Sequence, residues 1–270
     1  KIVMLEFYGQ LLEPEMRGWF LVVMFLFGAC VGSFLNVCIW RMPLNESIVF
    51  APSHCTKCNA KIAWYDNIPL VSYIVLRGKC RHCHEHYTIR YFVVELITAV
   101  LFCGITALQN NSDYSFLPIA LTTVAVLIAA GIIDFEHGII PDKLTIFLLI
   151  AAGCLHWWIN GMSVMFDFLA VAVAVAAVTG IIAWAGKIIF KRTVLGWGDV
   201  KLLTALGTAF GLMPLAGIIA LSAVLGIISG VAGAVKRKEK IAAQEIRYGV
   251  FIAIAGITYI FFRDWFSNYF

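Results

Sequence analysis

Residues 18–40 read GWFLVVMFLFGACVGSFLNVCIW, 23 positions without a charge. A helix that crosses the hydrocarbon core of a bilayer needs about 20 apolar residues. This run is long enough, and Arg41 and a basic stretch follow it, as they would a retained membrane helix. It is too long for the apolar region of a signal peptide, and no small-residue cleavage pattern comes after it. Further along the chain, Leu96–Ser112, Tyr114–Ile133, Leu144–Phe166 and Phe168–Gly186 are uncharged runs of 17, 20, 23 and 19 residues. Leu202–Val235 holds 34 uncharged residues with Pro214 near its middle, which predicts two helices turning at 211–214. Tyr248–Phe262 supplies the last span, with Trp265 and Tyr269 as interfacial anchors. The expected fold is an all-α polytopic membrane protein with about eight transmembrane helices, the sixth short.

Composition agrees. Of 270 residues, 61% are hydrophobic and 13% charged, with a mean hydropathy of +0.90. Soluble domains run at about 45–50% apolar and about 25% charged, so a soluble globular protein is excluded. A disordered chain is excluded too, being polar and highly charged. The net charge of +4 calls for no nucleic acid, because positive charge beside a membrane is a topology signal. Eight spans put both termini on one face. Loops 41–95, 134–143, 187–201 and 236–247 carry seventeen of the Lys and Arg residues, against Lys1, Arg17 and Arg263 on the opposite face. The positive-inside rule makes those loops cytoplasmic and both termini extracytoplasmic. Three parts follow: 1–40, an extracytoplasmic N-terminus and first helix; 41–95, a cytoplasmic cysteine-rich loop; and 96–270, the remaining transmembrane part. Gly28–Gly32, Gly207–Gly211 and Gly226–Gly230 are small-residue pairs one turn apart, which let helices approach closely.

The 41–95 loop contains Cys55-Thr-Lys-Cys58 and Cys80-Arg-His-Cys83. Two such pairs match the spacing of a structural zinc site, each knuckle aiming two thiolates at one ion. Four thiolates leave no position for a reactive water. A metal would also stabilise a loop too short to build a core. A redox pair or four separate thiols are the alternatives; His54, His82, His84 and His86 are nearby and could substitute as ligands, but read rather as solvated loop residues. Cys30, Cys38, Cys103 and Cys154 lie in spans at no ligand spacing and read as small core residues.

Acidic residues at the edge of apolar spans are costly and usually functional. Asp134 ends the third span, and Asp199 opens the sixth in Leu195-Gly196-Trp-Gly198-Asp199-Val-Lys201. By the topology above both lie at the cytoplasmic boundary, where they can face one site. Two carboxylates sharing a site cannot both ionise cheaply, so one keeps a proton while the other acts as a base. That pair activates a water against a peptide carbonyl. Gly196 and Gly198 permit positive φ and close approach of a substrate backbone, which suits a peptide bound as an added strand. The bland alternative is that the aspartates cap helices or pair with Lys143 and Lys201. Glu95, at the start of the second span, is a helix cap, an ion-pair partner or an organiser of the loop.

Taken together these residues resemble the type IV prepilin peptidases, a branch of the GxGD aspartyl proteases, over nearly the whole chain. Gly32-Ser-Phe-Leu-Asn-Val37 with Arg41 and Pro43 is similar to the family's first-helix signature. Ser53-His-Cys-x-x-Cys58, Trp64-Tyr-Asp-Asn-Ile-Pro69 and Arg77-Gly-Lys-Cys-x-x-Cys83 resemble its cytoplasmic loop. Asp134 with Ile140-Pro141-Asp142-x-Leu-Thr145, and Gly196-x-Gly-Asp-Val-Lys-Leu202, resemble its catalytic segments.

The resemblance implies that Asp134 and Asp199 are the catalytic pair, with Gly196, Gly198 and Lys201 supporting the active-site loop. It implies a substrate that is the N-terminal segment of a prepilin or pseudopilin, a basic leader ahead of an apolar helix. It implies residence in the bacterial inner membrane, with cleavage at the cytoplasmic face. It also implies N-methylation of the new terminus from S-adenosylmethionine, with Gly78 and Lys79 at positions tied to that step. Nothing in the residues alone proposes a methyltransferase. The family's Pro-x-Gly-Pro-Phe-like segment reads here Arg247-Tyr-Gly-Val-Phe251, keeping Gly249 and losing both prolines. The rival readings are a peptidase without methyl transfer, a proton or ion transporter using the same aspartates, and a non-catalytic assembly factor. Oligomeric state is not fixed by the sequence.

Overall fold

The computed structural model describes residues 14–49, 53–109, 116–191, 195–237 and 247–269. Lys1, Arg192 and loop residues 238–246, used above to orient the spans, lie outside the described residues, as do the side chains of Trp265 and Tyr269. Eight long helices occur in the expected order: α1 (Pro14–Arg41), α2 (Arg90–Leu108), α3 (Phe116–His137), α4 (Asp142–Asn160), α5 (Met165–Phe190), α6 (Trp197–Phe210), α7 (Leu212–Arg237) and α8 (Tyr248–Tyr269). Among the described residues there is no sheet. The extended pairing consists of two single bridges, His54 with Lys61 and Lys79 with His86.

Six helices, α1 to α5 and α7, are long and apolar enough to cross a membrane. α6 is 14 residues, about 21 Å at 1.5 Å per residue, and the apolar part of α8 covers only Tyr248–Arg263. Both short helices are packed into protein: Leu202, Leu206, Ile252 and Ala255 are sealed from the surface. The chain turns between α4 and α5 at Gly161, whose φ of +82° ends α4. The run-length reading put that turn at Asp167. The Asp167 charge sits instead in the first turn of α5, where the helix dipole favours it. Cys38 is buried as expected of a small core residue, whereas Cys30 and Cys154 are exposed. A compact thiol behaves as a small hydrophobe and is tolerated on an outward face.

The chain divides into two compact units, residues 1–117 and 118–270. In the first, α1 and α2 form an antiparallel pair. Gly28 and Gly32 are the reason they lie so close. A Cβ at Gly28 would stand 2.8 Å from the Ala99 Cα, and one at Gly32 2.7 Å from the Glu95 Cα. Arg17 closes one end of the pair by donating to the Ala107 carbonyl at 2.6 Å, and Asn36 Nδ2 donates to the Tyr91 carbonyl at 3.0 Å near the other. In the second unit α3 is the central element, with Val124, Leu127, Ala129, Ala130 and Ile133 fully enclosed. α8 lies against it, the Gly131 position meeting Ala253 and the Gly256 position meeting Leu127. α6 packs among α4, α5 and α7. The Gly207 position is tight against Val175 and Leu215, and Gly211, at φ +92°, makes the turn into α7. These contacts carry the last turn of α3 and the first turns of α6 and α8 toward one site.

Gly32→Val is expected to lower the thermal midpoint of the detergent-solubilised protein, at an overpacking cost of about 1–3 kcal/mol. Gly18→Val, where a Cβ meets nothing within 4 Å, is expected to leave the midpoint in place.

Candidate active site and metal centre

Asp134 lies in the last turn of α3 and Asp199 in the first turn of α6. Both are nearly sealed, at 6% and 8% exposed. Although 64 positions separate them in the chain, Asp134 is close enough to act electrostatically on Asp199. α3 stops there because Gly138 takes φ +69°, with its N–H returned to the Asp134 carbonyl at 2.8 Å. Pro141 then forces an extended entry to α4.

Each carboxylate is held by main-chain donors. Asp134 Oδ2 accepts the Val250 N–H at 3.2 Å, in the first turn of α8, and Arg247 Nη1 donates to the Asp134 carbonyl at 3.3 Å. Asp199 Oδ2 accepts the Gly196 N–H at 3.0 Å, closing the start of α6 on itself. Ile140 is the wedge between the two. A Cβ on Gly198 would stand 3.0 Å from the Ile140 Cβ, and one on Gly249 2.8 Å from Ile140 Cδ1 and 2.9 Å from Asp134 Oδ2.

This corrects one expectation. Neither Gly196 nor Gly198 has positive φ; Gly196 has φ −71°. Both are small because Asp199 and Ile140 occupy the space a side chain would fill. Lys201 pairs with neither aspartate of the site. Its Nζ meets Asp142 Oδ1 at 2.7 Å, joining the first turns of α6 and α4. Both partners are well exposed, so the pair is worth about 0–1 kcal/mol.

Sequence reasoning missed two groups. The Tyr248 hydroxyl hydrogen-bonds Ser222 of α7 at 2.7 Å, and Tyr248 lies within electrostatic reach of Asp199. It also missed the Val250 N–H, because a main-chain donor has no residue signature. The lost proline is the one available sign, since a proline there could not donate.

In the first unit the two Cys pairs form matching knuckles. The Asn59 N–H donates to the Cys55 carbonyl at 2.9 Å, and the His84 N–H to the Cys80 carbonyl at 3.0 Å. Asn59 and His84 both take φ +57°. The Cys55 N–H reaches the Ala60 carbonyl and the Cys80 N–H the Glu85 carbonyl, both at 2.9 Å. The four ligand atoms of Cys55, Cys58, Cys80 and Cys83 lie within 4.8 Å of one another and could hold a metal ion. Cys55 and Cys83 Sγ are 3.8 Å apart, Cys58 and Cys80 Sγ 4.0 Å. The main-chain N–H groups of Cys83 and His82 hold the Cys80 thiol low, at about 6. At Cys83 the Glu85 N–H favours the thiolate, but burial and the three neighbouring sulfurs push it up to about 12. Four such sulfurs cannot all ionise without a cation among them. His82, His84 and His86 are exposed and stand outside the four-sulfur group.

Gly78 takes φ +65°, its N–H donates to the Tyr73 carbonyl at 2.9 Å, and its carbonyl accepts the Tyr87 N–H at 2.7 Å. A Cβ there would stand 2.8 Å from the Tyr73 ring. Lys79 is exposed in the bridge to His86. Glu95 resolves to the loop-ordering role: its Oε2 accepts the Leu70 N–H at 2.8 Å.

Comparison with known proteins agrees in both units. Residues 26–108 match the bacterial peptidase A24 N-terminal domain, and residues 121–231 match the type IV leader peptidase family. A prepilin leader peptidase/N-methyltransferase of Myxococcus xanthus is 36% identical over 212 residues, 78% of this chain and 62% of that protein. This chain therefore spans less than two thirds of the Myxococcus protein. One of Aeromonas salmonicida is 32% identical over 267 residues, 90% of each chain. The type 4 prepilin-like proteins leader peptide-processing enzyme of Escherichia coli is 30% identical over 263 residues, 87% of this chain and 91% of that one. No solved structure matches.

Elemental analysis of the purified protein is expected to find about one divalent metal ion per chain, as a closed four-thiolate site requires. Cys58→Ser is expected to lose that metal and to lower the thermal midpoint.

Proposed function

The chain belongs to the type IV leader peptidase family, and on that premise we propose that it removes the short basic leader of prepilins or pseudopilins and then N-methylates the new terminus. The observation that supports the peptidase reading is that two aspartates from α3 and α6 are both buried, with Ile140 packed against Gly249 beside Asp134 and against Gly198 beside Asp199. In the proposed reaction one carboxylate, ionised, takes a proton from a water as the oxygen attacks the scissile carbonyl. The other, protonated, hydrogen-bonds the carbonyl oxygen and stabilises the charge that develops there. The tetrahedral intermediate collapses, the C–N bond breaks, and the leaving amine takes up a proton from the pair. The bonds from Val250 and Gly196 support this, because main-chain donors fix the orientation of each carboxylate. Gly198 and Lys201 serve the site by packing on Ile140 and tying α6 to α4.

The proposed metal is zinc. A tetrahedral ion with Zn–S bonds of about 2.3 Å places its sulfurs about 3.8 Å apart, and the measured 3.8 and 4.0 Å fit. Cys55, Cys58, Cys80 and Cys83 would hold it, and its contribution is to the fold of the loop. S-adenosylmethionine supplies the methyl group when bound. The main-chain groups of Gly78 are already bonded within the loop, so Gly78 serves by its conformation, and the exposed Lys79 ammonium is the group free to meet a ligand or substrate carboxylate. The proposed topology has eight spans, the aspartates at the cytoplasmic face of the inner membrane and both termini outside. Six helices long and apolar enough to cross a membrane and the seventeen basic residues on one set of loops support it. In the three-part division, 41–95 serves methyl transfer and 96–270 proteolysis.

The test is mass spectrometry of a prepilin-type peptide incubated with the purified protein, with and without S-adenosylmethionine. Cleavage after the leader is expected in both, and one added methyl only with the cofactor. Asp134→Asn and Asp199→Asn are each expected to slow cleavage by about 10²–10⁴-fold while methylating an already mature peptide normally. Full cleavage by either variant would sink the dyad. Gly249→Ala, which crowds Asp134 Oδ2 and Ile140, is expected to lose about 10²-fold in cleavage, as a displacement near 1 Å can cost.

A further inference from the structure

The segment 64–75 between the two knuckles is not built like a soluble loop. It contains a short 3-10 turn, Trp64–Asn67, and a five-residue helix, Val71–Val75. Trp64 is 80% exposed, Ile74 64% and Val75 68%, with Ile68 and Val71 also exposed. Scattered exposed apolar residues need no explanation, but a contiguous group does.

Its position along the helices identifies what covers it. The Leu70 N–H is bonded to Glu95, the sixth residue of α2. That is about 7.5 Å along the helix axis from Arg90, at 1.5 Å per residue. Glu95 in turn faces Gly32 of α1, nine residues before Arg41 ends that helix. The Tyr73 ring lies on Phe92, in the first turn of α2, with ring centroids 5.3 Å apart. The segment therefore does not stand off the ends of α1 and α2. It dips beside them, level with residues that belong to their spans. In those same turns of α2 Val93, Leu96 and Ile97 are exposed as well.

The backbone is prepared for such a place. Irregular chain at membrane depth must satisfy its own polar groups. The N–H groups of Leu70, Ser72, Ile74, Leu76 and Gly78 all donate within the protein. The Ser72 hydroxyl donates to the Tyr65 carbonyl at 3.1 Å. The one acidic side chain, Asp66, is paired with Arg81, whose Nε donates to it at 2.8 Å. That hydrogen bond holds the Asp66 carboxyl below the usual carboxylate range. Arg81 also lies over the Tyr65 ring. Basic residues Lys61 and Arg77 flank the segment in sequence, and anionic headgroups favour such residues beside an interfacial segment.

We infer that residues 64–75 form a re-entrant interfacial anchor, its Trp64, Ile68, Val71, Ile74 and Val75 side chains seated in the acyl–headgroup boundary of the bilayer. Amphipathic segments bury their apolar face about 5–10 Å into that boundary, and the contacts of Leu70 with Glu95 and of Tyr73 with Phe92 seat this one beside the first two turns of α2. Through Asp66–Arg81 the anchor is tied to the second knuckle. The inference needs only that α1 and α2 span the bilayer. It stands or falls apart from the peptidase reading.

The test uses the full chain in nanodiscs of phosphatidylethanolamine and phosphatidylglycerol. Benzoylphenylalanine is placed singly at Ile74, at Val75, at Val23 within α1, and at Glu85 on the knuckle. After illumination, adducts are identified by mass spectrometry, and an unchanged thermal midpoint checks that each variant is folded. Ile74 and Val75 are expected to give phospholipid adducts at a yield close to Val23 and about tenfold above Glu85, as burial in the boundary requires. Lipid adducts at Val23 with none at Ile74 and Val75, or adducts there to a second copy of the chain or to added substrate peptide, would overturn the inference.

Discussion

A carboxylate at the end of an apolar helix must find hydrogen-bond donors or it cannot stay buried and charged. In the second unit the donor to Asp134 is the first turn of α8, through the Val250 N–H. The rest of that site depends on this contact. α8 must reach the end of α3, so Gly131 and Gly256 thin the seam between them. Gly249 must be bare because Asp134 and Ile140 fill the space beside it. Ile140 then occupies the gap up to Gly198, which sets how closely α6 and Asp199 come in. Asp199 is satisfied locally by Gly196 and needs no partner helix.

The first unit meets the same constraint with different means. Glu95 is a carboxylate inside an apolar helix, and it takes its donor from Leu70, drawing an irregular segment down beside α1 and α2. The four cysteines pose the complementary problem. Their knuckle amides favour thiolate at Cys80 while the crowding of sulfurs opposes it at Cys83, and a cation resolves the conflict. The Glu95 carboxylate, and the metal proposed for the four cysteines, would thus order a stretch with too small a core to order itself.

Much of this was legible in the residues. Uncharged runs located all eight helices, because lipid-facing and buried surfaces are both apolar and charges fall at the ends. The turn at Gly161 was misplaced to Asp167 because a charge can open a helix as well as bound it. Asp134, Asp199 and the Cys pairs stood out by residue type and spacing. The reason for Gly196 and Gly198 did not, since a sequence cannot tell a glycine needed for positive φ from one needed for room. The Val250 donor, the Tyr248–Ser222 pair and the Leu70–Glu95 bond involve main-chain atoms or residues far apart in the chain. No local pattern encodes them. The resemblance to a family supplied what spacing could not, the substrate class and the second activity.

The central claim is that Asp134 and Asp199 act on one scissile bond. The most direct measurement is a structure of the protein with a prepilin-type peptide whose cleaved bond is replaced by a hydroxyl-bearing isostere. A shared dyad puts that hydroxyl within about 2.6–3.2 Å of a carboxylate oxygen of both aspartates. An inhibitor bound elsewhere, or touching only one of the two carboxylates, would contradict it.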